Sequence, residues 1–232
     1  MPTPANDFQP PMTVVLAFDC TVSGMGVAVS RDGACLAVHR EDGRDQAARL
    51  LPAIADVLRE GRVERRDVSL LAVTVGPGSF TGVRVGLAAA RGLAVGLGVP
   101  LAGIATTAVL LAQAPRGDRL VVAAIDSRLG DWFCALSEGD GAPFLTSTAA
   151  LAERLHGRPS LVMGEGAERL AAALDDAIAE PTLPDPAVLA CLAFADGVAG
   201  WRQRNQAEGL PRPLYLRGVN VTLPGGVRRT VD

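Results

Sequence analysis

Val75-Gly76-Pro77-Gly78-Ser79-Phe80-Thr81-Gly82-Val83-Arg84-Val85-Gly86 joins a run of strand formers, Leu70 to Val75, to an apolar stretch rich in glycine and alanine that reaches Pro100. Gly76 and Gly78 permit a tight reversal, and Pro77 fixes one φ between them. The pattern predicts a strand, a turn and a helix whose first turn is capped by Ser79 or Thr81. Gly82, Gly86, Ala90 and Ala94 recur every fourth residue and share one helix face, which Ala89, Gly92 and Gly96 widen. Each interior glycine costs a helix about 1 kcal/mol relative to alanine. A helix with several of them brings its backbone close to something: its own sheet, another helix or another chain.

Arg84 and Arg91 lie seven apart and therefore on one face. Beside the smooth face they fit the rim of an interface, forking onto a partner's carboxylates; the plain alternative is two solvated arginines. The candidate partner interface is Gly82, Arg84, Gly86, Ala89, Ala90 and Arg91.

With 232 residues, 49% of them hydrophobic, the chain can bury a substantial core as one larger domain or two small ones. A formal charge of −3 gives no global attraction to nucleic acid. Arg202, Arg204, Arg212, Arg217, Arg228 and Arg229 make the last thirty residues only mildly basic. No lysine occurs, which excludes Schiff-base and P-loop lysines. The four cysteines, Cys20, Cys35, Cys134 and Cys191, are scattered without a C-x-x-C and read as reduced thiols. Met1 to Met12 lacks the charged and apolar blocks of a secretion signal. The run Val83 to Ile104, interrupted by Arg84, Arg91 and Pro100, is a poor membrane span. No membrane association and a cytoplasmic location are expected.

In chain order, strands are expected at Val14 to Phe18, Gly26 to Ser30 and Ala34 to His39, then a helix from Asp45 to Glu60. The strand from Leu70, the glycine-rich helix and a short strand at Leu101 to Ile104 follow. Thr106 or Thr107 is placed to cap the next helix. The start then recurs 107 positions later: Val121 to Asp126 restates the first strand, with Asp126 on Asp19, and Trp132 to Leu136 falls on Met25 to Val29. A strand at Ser160 to Met163 and helices near Ala167 to Ile178 and Pro186 to Arg204 complete a second unit. Two such units predict duplicated ribonuclease-H-like halves with mixed sheets.

The sequence resembles the bacterial TsaB (YeaZ) family. Leu16 to Thr21, Gly76 to Gly86, Ala124 to Arg128 and Pro213 to Arg217 carry the resemblance, and the glycine-proline motif is the most specific of them. It implies a two-lobed α/β fold of the actin/Hsp70 (ASKHA) type, here lobes 13–108 and 109–217 with flexible ends at 1–12 and 218–232. It also implies a non-catalytic subunit that binds and activates a TsaD-type catalytic paralogue in threonylcarbamoylation (t6A) of tRNA adenosine 37. A TsaE-type ATPase works with them, tRNA is reached only through the complex, and a homodimer forms when the chain is alone. No cofactor of its own is implied; ATP and Mg²⁺ come through the complex. The family usually has histidine where this chain has Gln46.

The chain's own residues leave an alternative: an ATP-binding kinase or ATPase, or a glycoprotease-like peptidase, of the same fold. Asp19 and Asp126 both end strands and are the nucleotide-cleft candidates, as such aspartates hold Mg²⁺ in phosphotransferases of this fold. Neither is followed by the close glycine of a phosphate loop, so each also reads as a turn-forming aspartate. His39 and His156 are far apart in sequence, without the paired spacing of a metal site. Ser79 does not sit in G-x-S-x-G. No catalytic residue is assigned.

Overall fold

The computed structural model describes residues 12–43, 45–217, 219–222 and 228–231. The first half runs β1 (Val14–Asp19), β2 (Met25–Arg31), β3 (Ala34–Glu41), α1 (Gln46–Glu60), β4 (Leu70–Thr74), α2 (Phe80–Leu97) and β5 (Leu101–Ile104). A helix α3 (Thr106–Ala112) leads to the second half: β6 (Leu120–Asp126), β7 (Trp132–Leu136), β8 (Phe144–Thr146), α4 (Thr148–Leu155), β9 (Ser160–Met163), α5 (Ala167–Ala171) and β10 (Ala177–Glu180). Helix α6 (Pro186–Glu208) follows, then a hairpin of β11 (Val219–Thr222) and β12 (Arg228–Val231).

The two large sheets have one topology. Strand order is β3-β2-β1-β4-β5 in the first and β8-β7-β6-β9-β10 in the second. In each, the first three strands are antiparallel and the last two join in parallel. The repeat read from the sequence is therefore a structural duplication, and the fold is the expected pair of ribonuclease-H-like lobes of the actin/Hsp70 type. Asp19 and Asp126 end the equivalent strands β1 and β6.

Alternation along β1 explains the layers. Leu16 and Phe18 point to α1 and α2 and meet Leu50, Ile54, Val57, Val83 and Leu87. Val15 and Ala17 point the other way and meet Leu189, Ala190, Ala193 and Trp201 of α6. In the second sheet, Val122 and Ala124 face α4 and α5, whereas Ala123 and Ile125 face Leu110 of α3. The layers thus cross the boundary expected at residue 108. Helix α3 packs on β6 and β7, while α6 packs on β1, β2, β4 and β5.

Helix α6 is broken at Gly197, where φ is 70° and ψ 160°. Across the break the Trp201 indole N–H donates to the Ala193 carbonyl at 2.9 Å, tying the two parts of the helix together. One helix among the described residues, α2, is long and apolar enough to cross a membrane. Here its inner face is part of the first lobe's core.

Ser79 caps α2 as expected, accepting the Gly82 N–H at 3.2 Å. Neither threonine caps α3: Ala105 holds the N-cap position, and the buried Thr106 hydroxyl donates to Thr21 at 3.0 Å. The helix expected to continue to Ile178 ends at Ala171. Residues Ala177–Glu180 form β10 instead, because parallel pairing with β9 overrides the helical preference of Ala-Ile-Ala-Glu. Strand β8 and helix α4 have no counterpart in the sequence reading. The end expected to be flexible at 218–232 contains the β11–β12 hairpin, and the start at 1–11 lies outside the described residues.

Candidate functional site: the cleft between the lobes

A cleft of about 890 Å³ separates the lobes. Its walls are the β1–β2 turn, the Gly76–Ser79 turn with the start of α2, the β6–β7 turn, and the chain segment Leu214 to Arg217. Gln46 stands at one edge and ties α1 to the β1–β2 turn, donating to the Gly24 carbonyl at 3.2 Å.

Asp19 does not face this cleft. It is 3% exposed, and its Oδ1 accepts the Thr21 N–H at 3.2 Å, the Thr21 hydroxyl at 2.5 Å and the Thr74 hydroxyl at 2.5 Å. Burial pushes its pKa above the usual carboxylate range, against the pull of the hydrogen bonds from Thr21 and Thr74. Asp126 does line the cleft. Its Oδ2 is paired with Arg169 of α5 at 2.8 Å, and its Oδ1 accepts the Arg128 N–H at 2.8 Å.

The two turns that would cradle phosphates are filled by their own side chains. Backbone donors at Thr21, Arg128 and Leu129 go to Asp19, Asp126 and Ser127 respectively. The β1–β2 turn is also roofed by the start of α2. A Cβ at position 82 would lie 1.8 Å from the Cys20 carbonyl oxygen, and one at position 78 would lie 2.1 Å from that of Thr21. The Ser79 N–H donates to the same Thr21 oxygen at 2.6 Å. An anion at either turn would have to displace these internal bonds, so the residues present do not fit a nucleotide's phosphates.

Other reactive groups stand apart from the cleft. His39 contacts Glu41 at 3.3 Å on β3, and His156 ends α4 with φ 51°. Among the described residues no three His, Cys, Asp or Glu side chains are grouped to hold a metal. Burial pushes the Cys20 thiol far up and that of Cys134 up to about 12, so both are packed, unreactive thiols.

The residues expected at a partner interface divide by face. Gly82, Gly86 and Ala90 are buried in the chain's own lobe, with a Cβ at 86 lying 3.4 Å from Val73. This corrects their assignment to a partner surface: the four-residue stripe brings α2 close to β1 and β4. Ala89 is half-buried. Arg84 donates from Nε to the Tyr215 hydroxyl at 3.0 Å and lies over the Phe80 ring at 3.6 Å. Arg91 grips the Pro211 carbonyl with Nε at 3.1 Å and Nη2 at 2.6 Å. Both arginines therefore hold the chain's own C-terminal segment. The outward side of α2 carries Ala88, Gly92, Val95 and Gly96, and a Cβ at 92 or 96 would meet nothing within 4 Å. Val95 is 76% exposed, and Leu51 on the neighbouring α1 is 56% exposed.

Sequence reasoning missed Thr74, Arg169 and the role of Pro211 to Arg217. The last had a signal, since Pro213 to Arg217 is part of the family motif; Thr74 becomes a partner only through sheet register, and Arg169 only through where α5 sits after β9.

A family model described as "TsaD: tRNA N6-adenosine threonylcarbamoyltransferase" matches residues 37–164, more than half of the chain. The Escherichia coli protein named "tRNA threonylcarbamoyladenosine biosynthesis protein TsaB" is 31% identical over 91% of this chain and 98% of its own length. The chain belongs to the TsaB (YeaZ) family. A Bacillus subtilis TsaB is 29% identical over 53% of this chain and 54% of its own. Among solved structures, YeaZ from Pseudomonas aeruginosa superposes with a TM-score of 0.69 at 27% identity, covering 88% of this chain and all of that one. In this TsaB-family chain the shared fold thus carries a cleft whose lining aspartate, Asp126, is paired internally, while Asp19 lies buried away from it.

Proposed function

We propose that this TsaB-family chain is a non-catalytic partner subunit in threonylcarbamoyladenosine formation on tRNA, binding and activating a TsaD-type catalytic paralogue. The observation that carries this reading is the outward side of α1 and α2. It exposes Leu51 and Val95 beside Ala88, Gly92 and Gly96, whose small side chains let a partner helix approach closely. The match of residues 37–164 to the TsaD model supports a partner of the same fold, presenting equivalent helices. Ala89 and Arg84 flank this surface; Gly82, Gly86 and Ala90 act from within by keeping α2 seated on its sheet.

Self-pairing through the same helices gives a homodimer that competes with the heterodimer. A TsaE-type ATPase acts on the assembled pair, with ATP and Mg²⁺ entering through the complex. A chain of net charge −3 reaches tRNA through its partner, in the cytoplasm.

Gel filtration with light scattering of this chain mixed with the TsaD-type protein of the same organism tests the proposal. A stable heteromeric complex, formed at the expense of any homodimer, is expected. Val95→Glu should weaken pairing at least tenfold while changing monomer stability by less than about 0.5 kcal/mol, as for other exposed sites. Two separate peaks, with and without ATP and the TsaE-type protein, would refute it. Calorimetry on the isolated chain should show no heat with millimolar Mg²⁺-nucleotide; a clear isotherm would restore the kinase or ATPase alternative.

A further inference from the structure

We propose that residues 210–217 form a latch that holds the two lobes closed across the cleft. The segment leaves α6 at Gly209 and runs over the first lobe. Pro211 packs onto Gly103 of β5, where a Cβ would sit 2.4 Å away, and the Arg91 guanidinium fixes its carbonyl. Leu214 donates its N–H to the Val75 carbonyl at 2.8 Å, just beyond the end of β4. The Tyr215 hydroxyl takes the Arg84 hydrogen bond, and its ring lies 5.7 Å from that of Phe80. These anchors all belong to the first lobe.

The segment then crosses over. Arg217 pairs with Asp131 in the β6–β7 turn of the second lobe, and Asp131 also accepts the Ser127 hydroxyl. The side chains of that pair are 29% and 23% exposed, so the pair is largely shielded from the water and salt that weaken surface ion pairs. Residues Leu214 to Arg217 meanwhile form one wall of the cleft. The lobes meet at their base through α3, which packs on β6, β7 and α6, and through Val22, buried against Leu110 and Ile125. Among the described residues the polar side-chain ties across the cleft are Arg217 to Asp131 and Ser23 to Glu165. That is the geometry of a hinge at one end and a clasp at the other. The latch is independent of the pairing proposal, since both of its ends lie in this chain.

Hydrogen exchange read by mass spectrometry on the full chain, with small-angle scattering for lobe separation, tests the latch. Arg217→Ala should speed exchange at least tenfold in both 210–217 and the 126–131 turn, and enlarge the radius of gyration. Asp131→Asn should act on the same two regions, and the double variant should go little further than either single one. Arg217→Lys should recover part of the protection, and Arg91→Ala should loosen 210–214 alone. An unchanged 126–131 turn in both Arg217→Ala and Asp131→Asn overturns the proposal. So does acceleration spread evenly through β1 and β6, because that marks general destabilisation rather than an opened clasp.

Discussion

The two lobes share a strand order and differ in what closes over the aspartate that ends the first strand of each. Parallel partners advance together, so extending the ladder one step beyond Phe18 and Val73 sets Thr74 opposite Asp19. Extending the other ladder beyond Ala123 and Met163 sets Gly166 opposite Asp126. In the first lobe a hydroxyl therefore reaches the carboxylate, and the 18-residue α2 seals the turn. In the second the strand stops early, a glycine gives no side chain, and the 5-residue α5 brings Arg169 across instead. One architecture has produced a sealed carboxylate and an open, ion-paired one. The duplication conserves strand order; the chemistry at the end of each β1-type strand is set by where its neighbouring strand stops.

The largest effect that tests this contrast is expected at the roof of the first turn. Gly82→Ala would drive a Cβ to 1.8 Å from backbone, so α2 must lift from β1. A loss on the order of 3 kcal/mol is expected, read by denaturant unfolding. Gly166→Ala meets the buried Trp132 ring at the milder distance of 3.3 Å, with a φ of 84°, and should cost about 1–2 kcal/mol. If the two substitutions cost the same, the turns are not closed differently.

Thr74→Val should cost about 2 kcal/mol, because it strips a hydrogen bond from a buried carboxylate. Arg169→Ala leaves Asp126 at the wall of the cleft with the Arg128 N–H still bound to it, and removes a side chain that is 64% exposed, so a loss of about 0.5 kcal/mol is expected. A larger loss from Arg169→Ala than from Thr74→Val would reverse the assignment of sealed and open sites.

The subtlest effect is a pH dependence. Asp19 binds its proton more tightly in the folded chain than in the unfolded one, because burial raises its pKa. The stability this contributes is complete below the ordinary value of 3.8 and is lost as pH rises through the raised, folded value. Asp19→Asn cannot titrate and keeps an oxygen to accept the threonine donors. Measured from pH 3.5 to 7, the stability of Asp19→Asn relative to wild type should rise with pH. A flat or falling difference would mean that the three hydrogen bonds outweigh burial.

The fold was largely legible because its signals were local and repeated. The β1 and β6 runs, the Ser79 cap and the spacing of Gly82 and Gly86 each follow from periodicity or turn chemistry. The site was less legible. That Gly86 lies against Val73, while Gly92 faces outward, depends on how α2 is rotated on its sheet, and small residues on several faces leave that rotation open. Thr74 and Asp19 are 55 residues apart and meet only through parallel register. Arg84 and Arg91 were rightly placed on one face, but what covers that face, Pro211 to Tyr215, comes from the far end of the chain.

The crossing of α6 also has a consequence in time. A ribosome releases the first lobe's strands, helices α1 and α2 and the whole second sheet before it releases Pro186–Glu208. Until then Val15, Ala17, Leu70 and Ala72 present a bare apolar face to the cell. The first lobe to be synthesised is thus among the last parts to be finished, and a chain truncated before α6 would expose that face to chaperones and proteases.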